Sequence, residues 1–175
     1  MKGYLDNAAT TPLAPEVLDA MMPYLTTNFG NPSSTHQFGR TSKSAIETSR
    51  KTIAKLLNCS PMEIVFTSGG TEADNLMLNS CVRDLKVTRI ITSKIEHHAV
   101  LHTIEELRKS YNLQVDFVNL DPKGMIDEIH LEHLLSDTSN KTLVRGSSIL
   151  YILCPNPKIT FLCLIGSNGL SSISL

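Results

Sequence analysis

Thr67-Ser68-Gly69-Gly70-Thr71 runs straight into Glu72-Ala73-Asp74-Asn75, so hydroxyls and two glycines stand at the start of a helical pattern. The first turn of a helix leaves backbone N–H groups without intrahelical acceptors, and the macrodipole is positive there, so anions dock. Gly69 and Gly70 carry no Cβ, which lets amides come close to a phosphate, and the Thr71 hydroxyl adds a donor. The competing reading is an ordinary βα turn, with Ser68 or Thr71 as cap and Glu72 as a favourable first-turn charge. Glycine pairs are above all punctuation, so the neighbouring residues must decide.

Ser93-Lys94-Ile95-Glu96-His97 supplies a second candidate. His97 opens a further helical pattern, where the positive end favours a neutral imidazole, and a flat neutral ring suits stacking on a heteroaromatic cofactor. A surface histidine is one alternative; a metal site with His98 and His102 is another. Those two are four apart and share a helical face, but no Cys or obvious third carboxylate completes the set, so no metal is assigned. Cys59, Cys81, Cys154 and Cys163 form no CxxC pair and are expected to be reduced and structural.

The elements that would position these groups follow from periodicity. A helix is expected from Pro15, with Val17, Leu18, Met21, Met22 and Leu25 on one face and Pro23 ending or kinking it. Gly30 to His36 reads as an ordered loop, and a long helix is expected from about Thr41 to Leu57. Strands are expected at Ile64-Val65-Phe66, Arg89 to Ser93, Gln114 to Val118 and Thr142 to Val144. Helices marked by Ala73, Leu76, Met77 and Val82, by Val100, Leu101, Ile104 and Leu107, and by Leu131, Leu134 and Leu135 fall between them. Asp121-Pro122-Lys123-Gly124 is a turn. Such alternation favours an α/β fold with a mainly parallel sheet, whose ligands sit beyond the carboxyl ends of the strands. Both candidate loops lie on that edge.

The formal net charge of -1 argues against an electrostatic grip on nucleic acid or membrane and favours a small-molecule partner. Neither an apolar signal core nor a membrane-length apolar run occurs, which reads as a cytoplasmic protein.

Four ordered blocks now carry a resemblance: Tyr4 to Pro12 (YLDNAATTP), Gly30-Asn31-Pro32-Ser33-Ser34 with His36, Ile64 to Asn75, and Ile91-Thr92-Ser93-Lys94 leading to Glu96-His97. The chain resembles the cysteine desulfurases of the class V aminotransferase group, in their NifS/IscS-like branch. The resemblance implies a fold type I transferase dependent on pyridoxal 5'-phosphate, with residues 1–144 forming the N-terminal part of its large domain. It implies that Gly70 and Thr71 bind the phosphate of the cofactor, that His97 stacks on the pyridine ring, and that Ala8 to Thr11 border the substrate L-cysteine. A homodimer and a sulfur-acceptor protein are implied as partners. Another class V enzyme, such as a selenocysteine lyase, is the alternative; the glycine turn is not G-x-G-x-x-G, which disfavours a dinucleotide.

The resemblance stops in residues 145–175. The family's Ser-x-His-Lys motif, whose lysine carries the cofactor, does not occur, nor do its Asp-x-x-Gln pair and its Asn-Asn-Glu segment. None of the cysteines matches the family's sulfur-accepting one, so no catalytic residue is assigned, and the chain alone is expected to be inactive or a non-catalytic remnant. From Arg145 to Leu175 there is no Asp or Glu. This divergent tail is read as a frameshift, a mis-spliced end or a truncation; as a genuine ending, it would hold strands at Ile149 to Cys154 and Phe161 to Ile165 around a Pro155-Asn156-Pro157 turn. Translating the source DNA past Val144 in the other frames is expected to recover an Asn-Asn-Glu-like continuation, and its absence from every frame would refute the frameshift.

Overall fold

The computed structural model describes residues 3–7, 10–146 and 149–153, the last group by backbone alone. Ala8, Ala9, Cys154, Cys163 and the turn and second strand expected in the tail lie outside the described residues. Two units cluster separately, residues 1–66 and 67–175.

In the first unit, α1 spans Pro15–Thr26, with its proline at the first position, where a missing N–H costs nothing. Pro23 does not end it: the helix runs on to Thr26, and the amides of Thr27 and Asn28 close it on the Pro23 carbonyl at 3.0 and 2.7 Å. No α1 residue is buried, so a carbonyl that loses its partner to Pro23 can be hydrated. Helix α2, Gln37–Leu56, starts before the expected Thr41 because His36 caps it, its Nδ1 accepting from the Gly39 amide at 3.5 Å. The Gly30 to His36 loop is ordered as expected: the Ser34 and Ser33 amides donate to the Asn31 carbonyl and Oδ1, each at 2.9 Å. Gly39 is sterically required, since a Cβ there would sit 2.3 Å from the Ser34 carbonyl oxygen.

The strand expected at Ile64-Val65-Phe66 does not form. No described strand pairs with it, and Val65 and Phe66 stay exposed. A β-prone tripeptide has no ladder of its own, so without a neighbour its propensity goes unused. It is instead held by Arg50, which donates to the Ile64 carbonyl and lies 4.8 Å from the centroid of the Phe66 ring.

The second unit runs α3 (Gly70–Arg83), β1 (Arg89–Ser93), α4 (His98–Tyr111), β2 (Gln114–Val118), α5 (Glu128–Ser136), β3 (Thr142–Gly146) and β4 (Ile149–Leu153). The sheet order is β2-β1-β3-β4; the first three strands are parallel and β4 is antiparallel to β3. Thus the α/β alternation is realised, and the first strand expected in the tail forms as far as Leu153. β3 itself crosses the Val144–Arg145 junction.

All five residues of β1 are buried, as in a strand flanked on both sides. Ile90 lies between Val115 and Leu143 in register, and Leu78 and Val82 of α3 with Val100, Ile104 and Leu107 of α4 belong to the same core. The buried stripe of α3 is Asp74, Leu78, Cys81 and Val82, whereas the expected Leu76 faces outwards. Val82 of the expected face is buried and Met77 packs against the core, while a polar residue, Asp74, heads the stripe. Arg89, buried at the amino end of β1, bonds Asp116 at 2.6 Å and the carbonyls of Leu134 and Asp137 at 3.0 and 3.2 Å. It thereby joins β1 to β2 and to the end of α5. The Asp121 turn closes as expected, with the Gly124 amide on the Asp121 carbonyl at 2.9 Å and Gly124 at φ 82°. Among the described residues no helix is long and apolar enough to cross a membrane.

Leu143→Ala is expected to cost about 2–5 kcal/mol in urea denaturation, because its fully buried side chain would leave a cavity, whereas exposed Ile129→Ala should stay within about 0.5 kcal/mol.

Candidate functional site

Gly70 is the first residue of α3 and Thr71 the second, both exposed. At Gly69 the backbone is extended, so its dihedrals do not demand glycine. What the glycines supply is room: nothing lies within 4 Å of where a Cβ would stand at residue 69 or 70. The Ala73 amide donates to the Gly69 carbonyl at 3.1 Å, which is the first hydrogen bond of the helix. The amides of Gly70, Thr71 and Glu72 precede it, and none donates to a protein group among the described residues.

Glu72 reaches back over this turn. Its Oε2 accepts from the Ser68 amide and hydroxyl, each at 2.6 Å. The Ser68 hydroxyl first, and its amide second, hold the Glu72 carboxyl below the usual glutamate range. This satisfies Ser68 internally and leaves the next three amides for an incoming acceptor. Thr67 closes the turn from the other side, its hydroxyl donating to the Gly69 carbonyl at 3.2 Å.

His97 sits at the amino end of α4 as its N-cap, with Nδ1 accepting from the Ala99 amide at 3.2 Å. A nitrogen that accepts carries no proton, so Nε2 is the protonated position of the neutral ring. The ring lies against His98, with centroids 4.0 Å apart and planes 34° apart.

A polar rung joins the first turns of the two helices. The Thr103 hydroxyl lies 2.8 Å from both the Asn75 Oδ1 and the Ala99 carbonyl, while the Asn75 amide donates to the Thr71 carbonyl at 2.8 Å. Thr71 is thereby linked through Asn75 and Thr103 to Ala99, so α3 and α4 lie alongside with their amino ends on one side. A cavity of about 900 Å³ opens between them, lined among others by Thr71, Asn75, His98, Ala99, His102 and Thr103. Gly70 and His97 each directly precede one of these lining residues.

Sequence reasoning missed the groups that fasten this arrangement. Asp74, buried in α3, pairs with Arg145 of β3 at 3.0 Å. Asn75 and Thr103 are likewise absent from any apolar periodicity. The available signal was the polar residue on the inward side of each helix, recognisable only once the phase of the stripe is known.

These features fit a phosphorylated ligand: three open amides, one hydroxyl without a described partner, a turn cleared of side chains, and two positive helix ends side by side. The profile of the aminotransferase class-V family matches residues 3–150. Cysteine desulfurase IscS of Methanosarcina thermophila is 47% identical over 137 residues, covering 77% of this chain and 33% of that protein. The IscS of Dictyoglomus turgidum is 46% identical over 158 residues, covering 89% and 38% respectively. Among solved structures, a NifS-like protein superimposes with a TM-score of 0.75 at 35% identity, covering 83% of this chain and 40% of that one. SspA, solved in complex with cysteine, gives 0.72 at 33% identity, covering 83% and 42%. The chain thus spans roughly two fifths or less of these relatives' length.

The lowered Glu72 carboxyl fixes the direction of a pH effect. The Ser68–Glu72 contact contributes fully above the ordinary glutamate range and is lost as pH falls through the depressed folded value. Carboxyl NMR titration is expected to place the Glu72 midpoint lower in the folded chain than in urea, and Ser68→Ala to move it back up.

Proposed function

Because this chain belongs to the class-V aminotransferase family, residues 3–150 matching its profile, we propose that it is the N-terminal part of the large domain of a cysteine desulfurase. The boundary of that part is placed at Val144, with residues 145–175 as a divergent tail. Pyridoxal 5'-phosphate is the cofactor, and when bound it supplies an electron sink for bond cleavage at the α-carbon of an amino acid.

The chain's own residues hold and orient. The amides of Gly70 and Thr71 and the Thr71 hydroxyl take the phosphate at the amino end of α3. The His97 ring, fixed by its bond to the Ala99 amide, covers a face of the pyridine. That bond fixes the flat ring in one orientation, which suits it for stacking. L-cysteine is the substrate, sulfur passes to an acceptor protein, and the working unit is a cytoplasmic homodimer. The observation that carries the reading is the shared amino end of α3 and α4, with Thr71 and the residues after His97 lining one cavity.

A second reading is that these 175 residues by themselves act as a non-catalytic remnant. Both share the phosphate grip and differ in turnover. A helix amino end stabilises an anion by only about 0.3–2 kcal/mol, so without a covalent link the cofactor is held weakly.

Pyridoxal phosphate added to the purified 175-residue chain is expected to bind reversibly, with no absorption band from lysine-linked cofactor and no sulfide released from cysteine. Thr71→Val should weaken that binding about tenfold or more, the loss of one hydrogen bond to a charged group, read by fluorescence titration. Unchanged affinity in Thr71→Val would overturn the phosphate site; a stable yellow protein with cofactor on lysine would overturn the weak, non-covalent grip.

A further inference from the structure

Of the histidines in the described residues, three spend a ring nitrogen on the fold. His36, His97 and His130 each accept a backbone amide at Nδ1, from Gly39, Ala99 and Asn119 respectively. The rings of His98 and His102 carry no hydrogen bond among the described residues, and both side chains are exposed on α4. Their lone pairs are therefore available, one helical turn apart. The two rings line the same cavity, with centroids 6.0 Å apart and planes 57° apart.

We infer that His98 and His102 form a two-imidazole binding site for a divalent transition ion of the Zn2+, Ni2+ or Cu2+ class. Neutral imidazole is a ligand for these ions, whereas Ca2+ and Mg2+ require oxygen donors, so the pair selects by chemistry. With metal–nitrogen bonds of about 2.0–2.1 Å, two imidazoles on one ion have ring centroids about 5 Å apart. The observed separation closes by small χ rotations of two exposed side chains, with no backbone movement. Among the described residues no group of three His, Cys, Asp or Glu converges on a point. Glu106 lines the same cavity four residues after His102, but it does not converge with the two rings on one point. The remaining coordination positions belong to water, which makes this an open, exchangeable site. It lies in the same cavity as the phosphate reading but takes none of Gly70, Thr71 or His97 as a ligand.

The test is calorimetric titration of the full chain with NiCl2 alone, without pyridoxal phosphate, on the parent, His98→Ala, His102→Ala, the double variant and His133→Ala. One ion is expected to bind the parent, with affinity falling at least about tenfold in either single variant, as befits loss of one of two ligands, and no further in the double variant. His133→Ala, which lies on α5 and outside the cavity lined by His98 and His102, should bind like the parent. Because His98 and His102 are exposed, far-UV circular dichroism should be unchanged throughout. Parent-like affinity in either single variant, a loss of equal size in His133→Ala, or no binding by the parent would overturn the inference.

Discussion

The Asp74–Arg145 ion pair is the constraint on which the arrangement of the second unit turns. Its atoms lie 3.0 Å apart with side chains 11% and 6% exposed. Removing one partner of such a buried pair typically costs about 3–5 kcal/mol, because the other charge is stranded in a medium that cannot solvate it. The pair connects the first turns of α3 to the carboxyl end of β3, so the open amides of residues 70–72 are held relative to the sheet edge by a charged strut. Apolar packing of Leu78 and Val82 alone would leave the helix free to slide, since dispersion contacts have little directional preference. Arg145 is not fully satisfied: its Nε is buried without a partner, which marks the strut as a compromise between fixing α3 and solvating a guanidinium.

The rest of the unit works by the same division of labour. Apolar contacts between α3, α4 and β1 supply most of the burial, and a few polar groups set the register. Arg89 fixes the amino end of the sheet against α5, while Asn75 and Thr103 fix one helix against the other. A ligand that enters between the amino ends of α3 and α4 therefore meets groups already in place. Little ordering entropy remains to be lost on binding.

How far the sequence foretold this depends on whether the decisive partner is near or distant along the chain. β1 and β2 appear where period and β-branched residues place them, and His97 opens α4, because these are local signals. The Ser68–Glu72 contact is local as well, and Glu72 was legible as a first-turn charge. Ile64-Val65-Phe66 failed because a strand is a property of a pair, and no partner is supplied by the described strands. Pro23 does not stop its helix, because the rule against an internal proline weakens where the helix is exposed. In α3 Val82 and Met77 face the core as expected and only Leu76 does not; Asp74 is inward because of Arg145, seventy-one residues away, and nothing near Asp74 announces that. For the candidate site, the residue types at 70, 71 and 97 were readable in advance, whereas the rung that aligns their helices was not.

The direction of β4 has a consequence for how this sheet assembles. A strand parallel to β3 would have to return over a sheet face, through a connection of a dozen or more residues. A reversed strand needs just the two residues that separate Gly146 from Ile149. Short closures form on the microsecond scale, long before distant segments search for their places. The vacant border of β3 is accordingly claimed by whichever chain follows it most closely. Any longer-range strand would have to unzip that hairpin before it could take the same position.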